Sequence, residues 1–286
     1  MIHLFKYNDS SKYVSIPDRI VAVDGRVYEL DEKVGSGGNG VVYKCYDRIS
    51  GDAVAIKFLL NKSREGLKRF ALELKLLKEM RHRQSLQFIN HGKVAGTEIA
   101  HCRQTRAVDI HFAVTELAES NLAEYLQKNK SVRFEEYIAQ FTGLSEALGE
   151  LHALAIHRDI KPENVLISGE RWILSDLGLC KSKRAAPEIT GERQVPGPRY
   201  WPSPESINIQ LGCADVVREQ SDVFQLCCIF WFVVTGRNPV GSICKEDWTG
   251  PEMLFPVIFE GLSHNSNKRP SDGNALALKL RQAVET

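Results

Sequence analysis

Residues 157–164, His-Arg-Asp-Ile-Lys-Pro-Glu-Asn, narrow the choice of architecture more than any other stretch of this chain. They set Asp159, Lys161 and Asn164 at offsets of zero, two and five on one loop. Phosphoryl transfer asks for such a set: a carboxylate to orient a hydroxyl nucleophile, a cation for the migrating charge, and an amide oxygen for Mg²⁺. An amphipathic helix predicted over 134–154 runs directly into this loop. A hairpin follows it, Val165-Leu166-Ile167 and Trp172-Ile173-Leu174 around Ser168-Gly169-Glu170, and ends in Ser175-Asp176-Leu177-Gly178. An isolated Asp before Gly is more often a plain turn. Twelve residues beyond Asn164, across a short hairpin, Asp176 stands out from that background.

The preceding half of the chain supplies partners in order. Residues 1–18 are polar and mixed, and read as an N-terminal extension. Asp24-Gly25 between IVAV and RVYEL is a hairpin signal. Gly35, Ser36, Gly37, Gly38, Asn39, Gly40 and Val42 then fit G-x-G-x-x-G-x-V. Glycines there let backbone N–H groups approach phosphates without a Cβ in the way. The same spacing opens a helix in a dinucleotide-binding turn, but residues 41–46 continue as a strand. Val54-Ala55-Ile56-Lys57 makes the next strand and ends in a lysine that needs a carboxylate to hold it. A helix predicted over 64–83 carries Leu67, Phe70, Leu74 and Leu77 as one apolar stripe. Glu73 borders that stripe, and an acid at the edge of a buried face costs stability unless paired, so Lys57 is its expected partner. Strands are predicted over 88–94 and 110–115, with a polar surface loop or irregular hairpin between them. Thr115, Glu116, Leu117 and Ala118 are expected to connect two lobes.

The second half closes with a 14-residue stretch over 222–235, DVFQLCCIFWFVVT, apolar on nearly all sides and therefore a buried helix. Two more helices are predicted over 253–262 and 271–284. Composition limits what else the chain can be. Its 37 basic and 36 acidic residues nearly cancel, which points to neither nucleic acid nor an anionic membrane. The longest apolar run, 226–234, is far shorter than the roughly 18 residues of a membrane span. The first residues lack the apolar core of a signal peptide. Seven cysteines with no C-x-x-C pair argue against a disulfide framework or a zinc site and for a cytoplasmic setting.

Taken together, residues 28–283 resemble a eukaryotic-type Ser/Thr protein kinase. The resemblance implies an α+β, two-lobed fold: a small antiparallel β-sheet lobe with one main helix over 19–116, and a larger, mainly helical lobe over 117–286. It implies ATP and Mg²⁺ as cofactors, with Asn164 and Asp176 on the metal. Asp159 and Lys161 are then catalytic, and Lys57 with Glu73 positions ATP. The glycine loop 35–40, Val42, Ala55 and the segment Thr115, Glu116 and Leu117 line the nucleotide. Leu177 replaces the family's usual phenylalanine after Asp176, an apolar change of little consequence. Ser203-Pro204-Glu205 ends the activation segment, with Glu205 expected to pair with Arg269, and Asp222 is expected to brace the catalytic loop. Pro198 stands where the family usually carries a threonine, which alters the substrate platform or marks a one-residue shift. The substrate-docking helix after Gly236 is shortened or missing.

Arg158 before Asp159 implies regulation by a phosphate on the activation segment, at Ser182 or Thr190, acquired through transient self-association. Cys180 beside Lys181 reads as a silent thiol rather than a redox sensor. The partners implied are protein substrates, without nucleic acid or membrane. Two other classes compete: an ATP-binding pseudokinase acting as a scaffold, and a small-molecule phosphotransferase. The first is opposed by intact Lys57, Asp159, Asn164 and Asp176, the second by the activation segment and the Glu205–Arg269 pair.

Overall fold

A computed structural model of the chain describes residues 2–6, 13–37, 40–99, 105–183 and 200–285. It divides into two units, Met1–Lys78 with Leu86–Ala118, and Glu79–Ser85 with Glu119–Thr286.

The first unit is built on one sheet. Its strands are β1 (Ile2–Lys6), β2 (Tyr13–Pro17), β3 (Arg19–Val21), β4 (Val27–Gly37), β5 (Gly40–Asp47), β6 (Ala53–Leu59), β7 (Phe88–Ile99) and β8 (Thr105–Glu116). They pair in the order β1-β2-β7-β8-β6-β5-β4-β3, antiparallel throughout. Residues alternate in and out, as a sheet with one buried face requires. Val14, Ile16, Ile20, Tyr28, Val41, Ile56, Phe58, Ile110, Phe112 and Val114 form the core. Fully burying each such side chain contributes about 1.5–3 kcal/mol.

Several expectations are corrected in this unit. Residues 1–18 hold two strands, with Ser15 paired to Thr97 of β7. The pattern in β2 is hidden because just two of its five residues, Val14 and Ile16, enter the core. The first hairpin closes through residues 22–26 rather than a two-residue turn. Gly25 takes φ +86°, and Arg26 N donates to Asp24 Oδ1 at 3.0 Å. Of the two readings for the stretch after residue 94, surface loop or irregular hairpin, the structure has the hairpin, in regular register from Asn90–Val114 to the Ile99–Thr105 pair. Alternation weakens there as a signal because Gly92 and Gly96 leave gaps in the inward side. A Cβ on Gly92 would meet Phe112 Cζ at 2.6 Å. His101 and Arg103 lie outside the described residues.

Among the described residues the one helix packed in this unit, α1, spans Arg64–Glu79, four residues short of the predicted end. Its buried face is Gly66, Phe70, Glu73, Leu76 and Leu77. Leu67 is 39% exposed, so the stripe is rotated from the expected one. Glu73 sits within the buried face, not at its border.

The second unit begins with residues 79–85, whose backbone is held by Glu150: its carboxylate accepts from Arg81 N at 2.8 Å and His82 N at 2.9 Å. The helices that follow are α2 (Leu122–Lys128), α3 (Phe134–His152), α4 (Pro204–Gln210), α5 (Glu219–Thr235), α6 (Phe255–Gly261) and α7 (Gly273–Glu285). Asn121 caps α2, its Oδ1 accepting from Glu124 N at 3.0 Å. Short strands β9 (Ser120–Asn121), β10 (Ala155–Ile156), β11 (Val165–Ser168), β12 (Arg171–Leu174) and β13 (Lys181–Ser182) complete it. The hairpin β11–β12 turns on Gly169 at φ +57°. α5 is buried on almost every side, as its composition demands. Phe230 on α5 lies 4.3 Å from Phe141 on α3, ring to ring, and Phe141 meets Trp172 edge-on at 5.5 Å. Cys227 and Cys228 belong to this core, and burial pushes the Cys227 thiol up to about 12. Between α5 and Pro251 the chain makes only one 3₁₀ turn, Lys245–Asp247. Among the described residues no helix is long and apolar enough to cross a membrane.

Candidate active site

The sequence-predicted residues divide between the units. In the first, β4 and β5 approach their turn through the pairs Gly35–Val42 and Gly37–Gly40. Gly38 and Asn39 fall outside the described residues. Gly40 is sterically required, since a Cβ there would lie 2.4 Å from the carbonyl oxygen of Phe58. Gly35 is not, its nearest neighbour being Val42 Cβ at 3.7 Å. Across the sheet Val42 pairs with Lys57, and Ala55 pairs with Thr115.

Lys57 Nζ donates to Glu73 Oε1 at 2.6 Å. The Glu73 side chain is 7% exposed and that of Lys57 is 24%. A carboxylate this deep is tolerable because it is ion-paired, and the pairing fixes the ammonium on the sheet. Thr115 is buried, and its Oγ1 donates to Glu116 O at 3.3 Å. Glu116 is committed to Gln87: its N–H reaches Gln87 O at 3.0 Å, and its Oε1 accepts from Gln87 N at 2.9 Å. Leu117 follows the end of β8, half-buried.

In the second unit the loop after β10 is held at almost every residue. The Asp222 carboxylate accepts from His157 N at 2.7 Å and Arg158 N at 2.8 Å. Gln225, one turn along α5, accepts from Ile160 N at 3.1 Å. His157 Nδ1 accepts from Asp159 N at 3.3 Å while Nε2 donates to Ser175 O at 3.0 Å, which assigns one tautomer. Arg158 takes φ +71° and Asp176 φ +54°, both in the left-handed region that costs a non-glycine residue about 1–3 kcal/mol. The surroundings hold both. Arg158 is tied by its N–H and by Nε donating to Leu179 O at 2.8 Å. Asp176 follows Ser175, whose N–H and Oγ both donate to Asn164 O, at 3.0 and 2.8 Å.

Asp159 is 3% exposed. Its Oδ2 accepts from Lys161 Nζ and from Asn164 Nδ2, each at 2.9 Å. Asn164 Nδ2 also donates to Asp159 O at 2.8 Å. Both amide hydrogens of Asn164 are thereby used and its Oδ1 is left over. That oxygen and the Asp176 carboxylate are the hard donors Mg²⁺ prefers, in the small number it takes from protein when substrate and water complete its shell. Leu177, the residue after Asp176, is buried at 2% exposure.

Farther along, Arg269 Nη2 and Nη1 donate to Glu205 Oε1 and Oε2 at 2.8 and 3.2 Å. Its remaining N–H groups reach Ser263 O, Gln220 O and His264 O. All five donors are met, so the buried guanidinium leaves no orphan. Burial pushes the Glu205 carboxyl up, but the Arg269 hydrogen bonds and charge outweigh it and hold the group below 4.5.

Ser182 is paired with Ala155 in the β10–β13 bridge. Thr190 and Pro198 lie outside the described residues. Cys180 is buried, in keeping with a packed thiol. Sequence reasoning missed Gln225, Ser175 and Glu150. Gln225 carried a usable signal, a polar residue three positions after Asp222 on an otherwise apolar helix.

Comparison with known proteins agrees with this arrangement. The family profile described as the protein kinase domain matches residues 28–278. The chain is 30% identical over 235 residues to the Homo sapiens serine/threonine-protein kinase/endoribonuclease IRE2, covering 78% of this chain and 23% of that protein. It is 31% identical over 210 residues to MAP3K epsilon protein kinase 1 of Arabidopsis thaliana, covering 70% and 14%. With serine/threonine-protein kinase TIO of the same plant it shares 28% over 256 residues, covering 85% and 18%. The chain thus spans less than a quarter of each of these relatives.

Proposed function

The chain belongs to the protein kinase domain family, and from that premise we propose that it transfers the γ-phosphoryl group of Mg·ATP to Ser or Thr hydroxyls of proteins. What carries this reading is the Asp159 carboxylate, fixed through Oδ2 by both Lys161 and Asn164 on one braced loop. A carboxylate pinned by one oxygen can orient an acceptor hydroxyl and take its proton, while the Lys161 ammonium stabilises charge on the phosphoryl group in transit. Lys57, held by Glu73, supplies a positive charge for the ATP phosphates. The backbone of the glycine-rich turn supplies N–H donors, and the segment 115–117 meets the adenine. Mg²⁺, held by Asn164 and Asp176, neutralises phosphate charge when bound. Lys161 in its position favours Ser/Thr over Tyr as acceptor, in line with the serine/threonine-protein kinases to which the chain is similar.

Proposed with this are protein substrates, a cytoplasmic setting, and transient self-association for autophosphorylation at Ser182 or Thr190. Arg158, one residue before Asp159, is the cation such a phosphate would meet. Replacing both hydroxyl residues by Ala should abolish self-labelling, and unchanged labelling would remove this regulatory reading.

The direct test is ³²P transfer from Mg·[γ-³²P]ATP, alone and with casein or myelin basic protein, beside Asp159→Asn. Label on Ser or Thr that disappears in the variant is the expected result. ATP-dependent thermal stabilisation with no label would favour an ATP-binding scaffold.

A further inference from the structure

Along the loop that carries Asp159, the Asp222 carboxylate takes the N–H groups of His157 and Arg158, both of which precede the aspartate. On the other side of Asp159 the hold passes to a second acceptor on α5. Gln225 Oε1 accepts from Ile160 N at 3.1 Å. Side chains three apart on a helix share a face, so Asp222 and Gln225 meet the loop as a pair. Gln225 is 1% exposed and Ile160 is fully buried. An amide at that depth is unfavourable unless hydrogen-bonded. On this largely apolar helix a leucine would fill similar space without that penalty, yet it would leave Ile160 N with no acceptor.

The bond falls on one particular peptide unit. The peptide joining Asp159 to Ile160 carries its carbonyl oxygen and its N–H in a single rigid plane. Asn164 Nδ2 donates to that carbonyl at 2.8 Å, and Gln225 Oε1 accepts from that N–H. The plane is therefore gripped at both ends, by the 3₁₀ turn Pro162–Asn164 and by α5. Asp159 comes before it in the chain, and Lys161 and Asn164 come after. Rotation of the plane would displace these three from one another, although the Asp159 carboxylate depends on both partners, each at 2.9 Å. Gln225 itself stands on a fixed element, since α5 is packed through Phe230 against Phe141 of α3 at 4.3 Å.

We propose that Gln225 is a positioning residue for phosphoryl transfer, fixing the Asp159–Ile160 peptide plane against α5 and thereby setting the Asp159 carboxylate relative to Lys161 and Asn164. The proposal rests on the phosphoryl-transfer reading above. Gln225 acts through the backbone of Ile160 and not on the substrate. Its loss therefore lowers turnover more than it weakens binding of ATP.

The test compares the full-length parent with Gln225→Leu, which lacks the acceptor, and Gln225→Glu, which keeps an oxygen at the same reach. Thermal melts set an assay temperature at which all three are folded. Two quantities are then read: hydrogen–deuterium exchange of the segment 157–164, and initial rates against ATP concentration. In Gln225→Leu the segment should exchange about tenfold faster or more while β11, β12 and α3 keep the parent's protection. Its kcat should fall about tenfold, the size of one hydrogen bond, with KM for ATP within about twofold of the parent. Gln225→Glu should recover most of both losses. Unchanged exchange of 157–164 in folded Gln225→Leu overturns the proposal. So does an unchanged kcat, a loss expressed in KM alone, or the same losses in Gln225→Glu as in Gln225→Leu. A parent that transfers no phosphate counts against the proposed function instead, and exchange alone then decides whether Gln225 fixes this plane.

Discussion

Arg158 gives its backbone N–H to Oδ1 of Asp222 at 2.8 Å, joining positions 64 residues apart in the chain. The bond holds a non-glycine residue at φ +71°, a conformation it would leave if released. Asp222→Ala removes the acceptor of this N–H and of His157 N together. Two buried donors without partners, each costing about 1–3 kcal/mol, should lower stability by about 3 kcal/mol or more. Relaxation of Arg158 should also shift Asp159, so phosphoryl transfer should fall by about 100-fold or more, as a misplacement of 1 Å can cost. Urea unfolding and a transfer assay measure the two effects, and an unchanged urea midpoint would refute the bracing role.

The loop, its hairpin and the buried helix were legible because each has a strong local signature. Asp159, Asn164 and Asp176 follow from spacing, and α5 from an unbroken apolar run. The pairing of Lys57 with Glu73 follows from helical geometry, although Leu67 lies outside the buried stripe. Strand β2 was hidden because its burial depends on pairing with β7, more than 80 residues away. The same holds for Glu150, which caps the chain after α1 through side-chain oxygens no pattern announces. Long-range contacts of this kind leave no period in the sequence.

Glu205 and Arg269 give a pH dependence with a definite sign. The folded carboxyl lies below its usual 4.5, so its contribution is complete above that value and is lost as pH falls through the lower, folded one. Stability measured by urea unfolding between about pH 5 and pH 3 should therefore fall less steeply in Glu205→Gln than in the parent. At neutral pH, Arg269→Met strands a buried carboxylate and should cost about 3–5 kcal/mol. The double variant, which removes both charges, should be less damaged than Arg269→Met alone.

Gly40 and Gly35 belong to the same motif, yet their surroundings set them apart. A methyl group on Gly40 would meet the Phe58 carbonyl oxygen at 2.4 Å, while on Gly35 it would make ordinary contact with Val42. Backbone cannot yield as a side-chain tip can, so Gly40→Ala should lose about 1–3 kcal/mol, the range of overpacked sites. It should also raise the KM for ATP by displacing the turn from the sheet. Gly35→Ala should stay within about 1 kcal/mol. Thermal melts of the two variants side by side decide the matter, and equal losses would mean that close approach to Phe58 is not what selects glycine at position 40.

Lys57 separates binding chemistry from folding. It sits on β6 between Val42 and Ala113, with its ammonium on Glu73. Lys57→Ala should reduce transfer about 10²–10³-fold, the usual loss when a donor to developing charge is removed. Glu73→Gln leaves an oxygen able to accept from Nζ but removes the charge, and should cost only about tenfold, one charge-assisted hydrogen bond in size. Initial rates against ATP concentration give kcat and KM for each. A larger loss in Glu73→Gln than in Lys57→Ala would show that the carboxylate acts on something other than the lysine, and the positioning role argued for this pair would have to be abandoned.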